Sequence, residues 1–239
     1  MKTTWAIYRR ELAGFFNSAL AYIAIPLFLL LVGLFSLYLE DIFDTGLVHM
    51  GSVFRWMSLF LVFLVPALTM RMLAEERRSG SMELLQTLPV SEAQIVLGKF
   101  FAALTVVLVS IGLTLSYPIS LAQVGDLDWG PVVGGYVGIS FLAAAYCAIG
   151  IAVSGFTRSQ ILAFLVSMAL CLVPYATGFF LEQVPADWVH IVQQLSFDYH
   201  FSSLARGVLD TRNLVFYVCV ILFSLHLAVF ALEERRLRA

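Results

Sequence analysis

The chain has 239 residues, 61% of them hydrophobic and only 13% charged, with a formal net charge of −2. Globular domains carry about 25% charged residues, so this composition, with a mean hydropathy of +0.92, excludes an ordinary soluble protein and describes an all-α polytopic membrane protein. The near-neutral charge gives no sign of nucleic-acid binding.

In chain order, residues 3–17 (TTWAIYRRELAGFFN) come first. Trp5, Tyr8, Leu12 and Phe15 recur on one helical face with Arg9 and Arg10 elsewhere. That pattern suits a helix lying in a membrane interface, aromatics inward and arginines towards the headgroups. An N-terminal extension of the first span is the other reading. Six stretches are then long enough to cross a ~30 Å hydrocarbon core as helices, at about 19–39, 53–73, 100–122, 132–154, 161–181 and 214–232, and together they make one transmembrane domain over 1–239. The first is followed by Glu40-Asp41-Ile42-Phe43, not a small-residue cleavage site, and is expected to be retained.

Between the second and third spans lies a polar corner, Glu75 to Lys99. Within it Ser81, Leu84, Leu85 and Leu88 share a helical face opposite Glu83, Gln86 and Thr87. Pro89 ends that helix. Ser91 is placed to cap the next one, with Gln94 at the capping-box position and Val90 and Ile95 spaced as a hydrophobic staple. The apolar face of residues 81–88 either packs on this chain's own bundle or docks a soluble partner; the pattern leaves both open.

In the fourth span Gly134 and Gly138 form a small-xxx-small pair that favours close packing on a neighbouring helix. Before the last span, Asp187 is placed to cap a helix with Trp188, Ile191, Val192 and Leu195 on one face. Asp198 is placed to cap another with Phe201, Leu204, Ala205 and Val208. Such a hairpin either re-enters the membrane or lies on it.

Lys and Arg are divided eleven to three between the two ends, which puts both termini and the 75–99 corner in the cytoplasm. Cys147, Cys171 and Cys219 all fall in spans without metal-ligand spacing and read as packing residues. His226, alone in the last span, reads as a neutral hydrogen-bonded packing residue. Gly98-Lys99 is followed by Phe100 and lacks the upstream glycine of a phosphate loop, so the chain is not expected to hydrolyse ATP. No span holds a mid-membrane acid or base, which argues against a proton- or sodium-coupled carrier.

The corner residues Glu75-Glu76-Arg77-Arg78-Ser79-Gly80-Ser81-Met82-Glu83-Leu84-Leu85, then Leu88-Pro89-Val90-Ser91 and Leu97-Gly98-Lys99, resemble the cytoplasmic signature of type-2 ABC exporter permeases, the gliding-motility-type permeases above all. His200-Phe201, Arg206-Gly207-Val208, Asp210 and Arg212 resemble that family's outer signature, and Trp5, Arg10-Glu11-Leu12 and Phe16-Asn17-Ser18 its N-terminal opening. Ser81 stands where many relatives have threonine. The resemblance implies a non-catalytic permease subunit in the bacterial cytoplasmic membrane, working as a homo- or heterodimer with ABC ATP-binding subunits that carry ATP and Mg; this chain would bind no cofactor. An outer-facing accessory protein is a further candidate partner. It implies that a coupling helix, with Glu76, Arg78, Gly80, Ser81, Glu83, Leu84, Leu85, Leu88 and Pro89, docks the ATPase. It further implies that His200, Phe201, Arg206, Gly207 and Asp210 belong to a re-entrant outer hairpin and that the N-terminal helix is an interfacial elbow. Export and mechanical work on an outer partner both fit; an ATP-independent channel or secondary carrier is the alternative.

Overall fold

The computed structural model describes residues 2–38, 50–79, 90–123, 125, 127–180, 186–208 and 210–236. They form eleven helices: α1 Lys2–Asn17, α2 Ala19–Tyr38, α3 Gly51–Thr69, α4 Ala74–Ser79, α5 Glu92–Leu113, α6 Ser116–Leu121, α7 Trp129–Phe156, α8 Gln160–Phe180, α9 Ala186–Leu195, α10 Phe197–Ala205 and α11 Thr211–Arg236. Among the described residues, six helical stretches are long and apolar enough to cross a membrane: Ala19–Ser36, Gly51–Ser79, Glu92–Leu121, Trp129–Phe156, Gln160–Gly178 and Thr211–Glu234.

These match the expected spans, with one difference of physical interest. The second and third extend past the hydropathy limits, to Ser79 and back to Glu92. Charge ends a span for a hydropathy window, but a helix continues through charged residues when those side chains find partners. Here they do.

α7 is the central helix. Its small residues, including Gly134, Gly135, Gly138, Ala143, Ala145 and Gly150, are buried and let neighbours approach its backbone. The Phe54 ring fills the notch at Gly135, and Thr69 that at Gly150. The Gly134–Gly138 pair receives not a second copy but α10 of the same chain: a Cβ on Gly134 would lie 2.5 Å from the Leu204 carbonyl oxygen. α2, α8 and α11 stand at the periphery and leave apolar faces exposed.

α1 is a separate helix, broken from α2 at Ser18, whose Oγ donates to the Phe15 carbonyl. Its apolar stripe packs across α5 rather than away from the protein. Phe15 is buried, Tyr8 and Leu12 are half-buried, and only Trp5, stacked on Tyr8, is exposed. A second buried anchor, Ile7, lies outside the expected face and packs with Ile95 and Val90.

Four other expectations are corrected. α9 begins at Ala186, so Asp187 stands inside its first turn, while α10 is capped by Ser196, whose Oγ accepts from the Tyr199 N–H, and not by Asp198. Trp188 and Leu195 of α9 are exposed. His226 and Cys219 face outward from α11 instead of packing within it, because that helix spends its inner face on Tyr217, Ser224, Leu225, Ala228, Ala231 and Leu232.

Candidate functional site at the charged corner

After Thr69 the chain keeps its helical course through a turn. The Met70 N–H reaches the Pro66 carbonyl at 2.9 Å, and Glu75 and Arg77 reach Arg71 and Leu73 at 3.1 Å. α4 therefore prolongs α3 and carries its charges back against the bundle. On the other flank, Ser91 caps α5 as expected, its Oγ accepting from the Gln94 N–H, and two turns later Lys99 points inward.

Lys99 is 1% exposed. Its Nζ lies 2.9 Å from Glu76 Oε1 and 3.1 Å from Glu11 Oε1. Arg10 Nη2 closes the cluster, at 2.7 Å from Glu11 Oε1 and 3.1 Å from Glu76 Oε1. Two bases and two acids from α1, α4 and α5 thus meet at one point. A buried lone ammonium would be prohibitive; paired with two carboxylates it is tolerated. Burial pushes the Glu11 carboxyl up, but Lys99 and Arg10 beside it prevail and hold it below the ordinary glutamate value. Arg10 is raised in turn, first by its hydrogen bond to Glu11.

Gly98 makes this meeting possible. A Cβ there would sit 2.8 Å from Ile7 Cγ2 and 3.2 Å from the Thr4 carbonyl oxygen, so glycine lets α1 lie close enough for Glu11 to reach Lys99. The neighbouring Arg77, 9% exposed, donates from Nη2 to the Ala231 carbonyl at 2.9 Å and ties the same corner to α11. Arg71 donates to Ser18 Oγ at 2.9 Å and lies over the Phe15 ring. A cavity of about 390 Å³ opens between these parts, lined by Phe15, Ser18, Arg71, Glu75, Glu76 and Lys99 among others.

Of the expected docking residues, Glu76 is engaged within the chain and Arg78 is exposed. Gly80, Ser81, Glu83, Leu84, Leu85, Leu88 and Pro89 lie outside the described residues. Glu11 is the member that sequence reading missed. Its signal was an acid on α1 beside two arginines, with no way to know that α5 would deliver a lysine to it.

At the opposite end the hairpin residues come together. Ser196, Phe197, His200, Phe201 and Leu204 are buried. Phe197 meets Tyr146, ring centroids 5.7 Å apart, and Tyr146 lies seventeen residues, about 25 Å at 1.5 Å per residue, from the start of α7. The Tyr217 hydroxyl donates to the Phe197 carbonyl at 2.9 Å. α10 is thus inserted among α7, α8 and α11, not laid across their ends. His200 bridges three helices: Nδ1 is 2.7 Å from Asn213 Oδ1, Nε2 is 3.1 Å from the Gln194 carbonyl, and the ring stacks on Phe216. Gly207 turns the chain with φ +83° against Gly130 and Pro131, a conformation that suits glycine. Asp210 Oδ1 accepts from the Arg212 N–H and caps α11, and exposed Arg206 donates from Nε to the Ser202 carbonyl. Burial raises the Asp198 carboxyl despite the opposing Arg55; its carboxylate fits where Gly178 has no side chain.

A six-span helical bundle with its ionic cluster at one end and an inserted helix at the other defines a class, the multi-pass membrane subunit. The family model of the ABC-2 family transporter proteins matches residues 7–197, and the chain belongs to that family. It is the permease component of an ABC transporter and is not itself catalytic. No curated protein matches the chain in sequence. The whole hairpin signature, from His200 to Arg212, lies beyond the matched residues.

Proposed function

We propose that this permease couples ATP hydrolysis on a separate ATP-binding subunit to export across the bacterial cytoplasmic membrane. Residues 81–88 would dock that subunit, with Glu76 and Arg78 flanking the contact and Gly80, Ser81, Glu83, Leu84, Leu85, Leu88 and Pro89 forming it. The observation that carries the reading is the ion cluster on both flanks of that segment. Glu76 stands four residues before Gly80 and Lys99 ten after Pro89, and their side chains are paired at 2.9 Å. A push on the segment then moves α4 and α5 together, with α1 attached through Glu11 and Arg10.

From α4 the displacement has a packed route inward. α4 continues α3, α3 locks into α7 through Thr69 at Gly150 and Phe54 at Gly135, and α7 carries α10 at Gly134 and Gly138. Motion at the charged corner is thereby expected to reach the inserted hairpin, including His200, Phe201, Arg206, Gly207 and Asp210. The exposed apolar faces of α2, α8 and α11 are available to lipid and to a second permease subunit. ATP and Mg would be held by the partner. The lysine and arginine distribution supports cytoplasmic termini, and the corner signature supports the gliding-motility-type branch.

The test is co-purification of the ATP-binding subunit with Leu84→Asp or Leu85→Asp chains that still insert. Loss of the partner is expected; unchanged assembly, or transport by the chain without nucleotide, would overturn the reading. Substrate flux into liposomes separates export from mechanical work on an outer partner.

A further inference from the structure

We infer that the cavity between α1, Ser18, the α3–α4 junction and Lys99 of α5 binds a phospholipid headgroup carrying a primary ammonium, Arg71 taking the phosphate and Glu75 the ammonium. The site rests on the reading of α1 as an interfacial helix, because only then does the cavity lie at headgroup level.

The lining charges divide into two sets. Glu11, Glu76 and Lys99 are consumed by one another and by Arg10. Arg71 and Glu75 are not. Arg71 gives one hydrogen bond to the neutral Ser18 hydroxyl and otherwise rests on Phe15, leaving most of its five N–H donors for an anion. Glu75 is exposed and, among the described residues, forms no ion pair. The two stand at i and i+4 across the turn, where the Glu75 N–H donates to the Arg71 carbonyl at 3.1 Å and keeps their Cβ atoms about 6 Å apart, as in one helical turn, yet they are not paired with each other. One free positive and one free negative group at that spacing match a phosphate and an ammonium joined by two carbons.

The surface below says that the ligand has acyl chains. Ser18 lines the cavity, and the row that continues from it at i+4 steps along α2 is Tyr22, Pro26 and Leu30. All three are exposed, with Ile23 and Leu27 exposed beside them. This apolar strip starts one turn from the cavity and gives the tails a track. A primary ammonium fits better than a quaternary one. Glu75 accepts charge-assisted hydrogen bonds, whereas a trimethylammonium is recognised by an aromatic cage and the lining aromatic, Phe15, is buried under Arg71.

The full-length chain in mild detergent, stripped of lipid, is titrated with dioleoyl phosphatidylethanolamine, phosphatidylcholine or phosphatidylglycerol, and bound lipid is read by native mass spectrometry. Phosphatidylethanolamine should be retained over the other two. Arg71→Gln should lower retention of all three about tenfold, the loss of one charge-assisted contact. Glu75→Gln should lower retention of phosphatidylethanolamine to that of phosphatidylcholine. Free O-phosphoethanolamine at millimolar concentration should not displace the lipid; displacement would make the ligand a soluble headgroup and overturn the lipid assignment. Equal retention of all three lipids by wild type and both variants, with unchanged melting temperatures, would remove the site. Quenching of Trp5 fluorescence by brominated lipid, in a chain whose Trp56, Trp129 and Trp188 are replaced by phenylalanine, reports separately on whether α1 touches the bilayer.

Discussion

Lys99 Nζ and Glu76 Oε1 lie 2.9 Å apart, although twenty-two residues of chain separate them. The pair closes the corner between the second and third spans at its base, and Glu11 brings the N-terminal helix into the same contact at 3.1 Å. A protein that must take a push on that corner gains a rigid footing from it.

The first prediction follows from the burial of Lys99. Lys99→Met leaves Glu11 and Glu76 facing each other with only the half-exposed Arg10 between them, and breaking a buried pair from one side costs about 3–5 kcal/mol. The melting temperature in detergent should fall accordingly. Glu11→Gln and Glu76→Gln added to Lys99→Met should recover most of the loss, since removing every partner is far milder than removing one. A single variant that melts like wild type would show that the cluster bears no structural load.

Acid should loosen the same joint. The Glu11 carboxyl sits below its ordinary value of 4.5, so the stability it contributes is fully present above pH 4.5 and is lost as the pH falls through its lower folded value. Melting followed from pH 6 downward should drop in that acid window, and Glu11→Gln should flatten part of the drop. A Glu11→Gln profile parallel to wild type would assign the acid sensitivity elsewhere.

Gly98 tests the seating of α1. Gly98→Ala places a methyl 2.8 Å from Ile7 Cγ2 and is expected to destabilise by about 1–3 kcal/mol, the range of overpacked cores. Ile7→Ala in the same chain should relieve the clash, so that the two losses combine to less than their sum. Strict additivity in that cycle would mean that α1 and α5 do not meet at Gly98.

For the inserted hairpin, Gly134→Val brings a side chain onto the Leu204 carbonyl and Gly207 and should lift α10 off α7 without preventing insertion of the six spans. A cysteine at buried Phe201 should then react with a water-soluble maleimide at least about tenfold faster than in the Gly134 parent, the response to a local opening made easier by one or two kcal/mol. Equal reactivity would place α10 somewhere other than on the glycine pair.

Hydropathy alone was enough for six spans, because crossing a membrane requires about 20 apolar residues in a row wherever they pack. The start of α5 was equally legible, since Ser91 with Gln94, and Val90 with Ile95, act within a single turn. So was the need for a close neighbour at Gly134 and Gly138. Its identity was not: small residues advertise proximity without saying to what, and the partner, α10, comes some seventy residues later in the chain.

The limits of the second and third spans, the cap of α10, the outward turn of His226 and the joining of Glu11, Glu76 and Lys99 were decided by packing. Each depends on which elements become neighbours, a choice made by three-dimensional complementarity among helices whose sequences are all similarly apolar. From its sequence this protein was bound to be a six-span helical bundle with a charged corner. Only the tertiary structure turned that corner into an ionic joint, because Coulombic pairing in a buried site falls steeply with distance and chain order does not set the distance between helices.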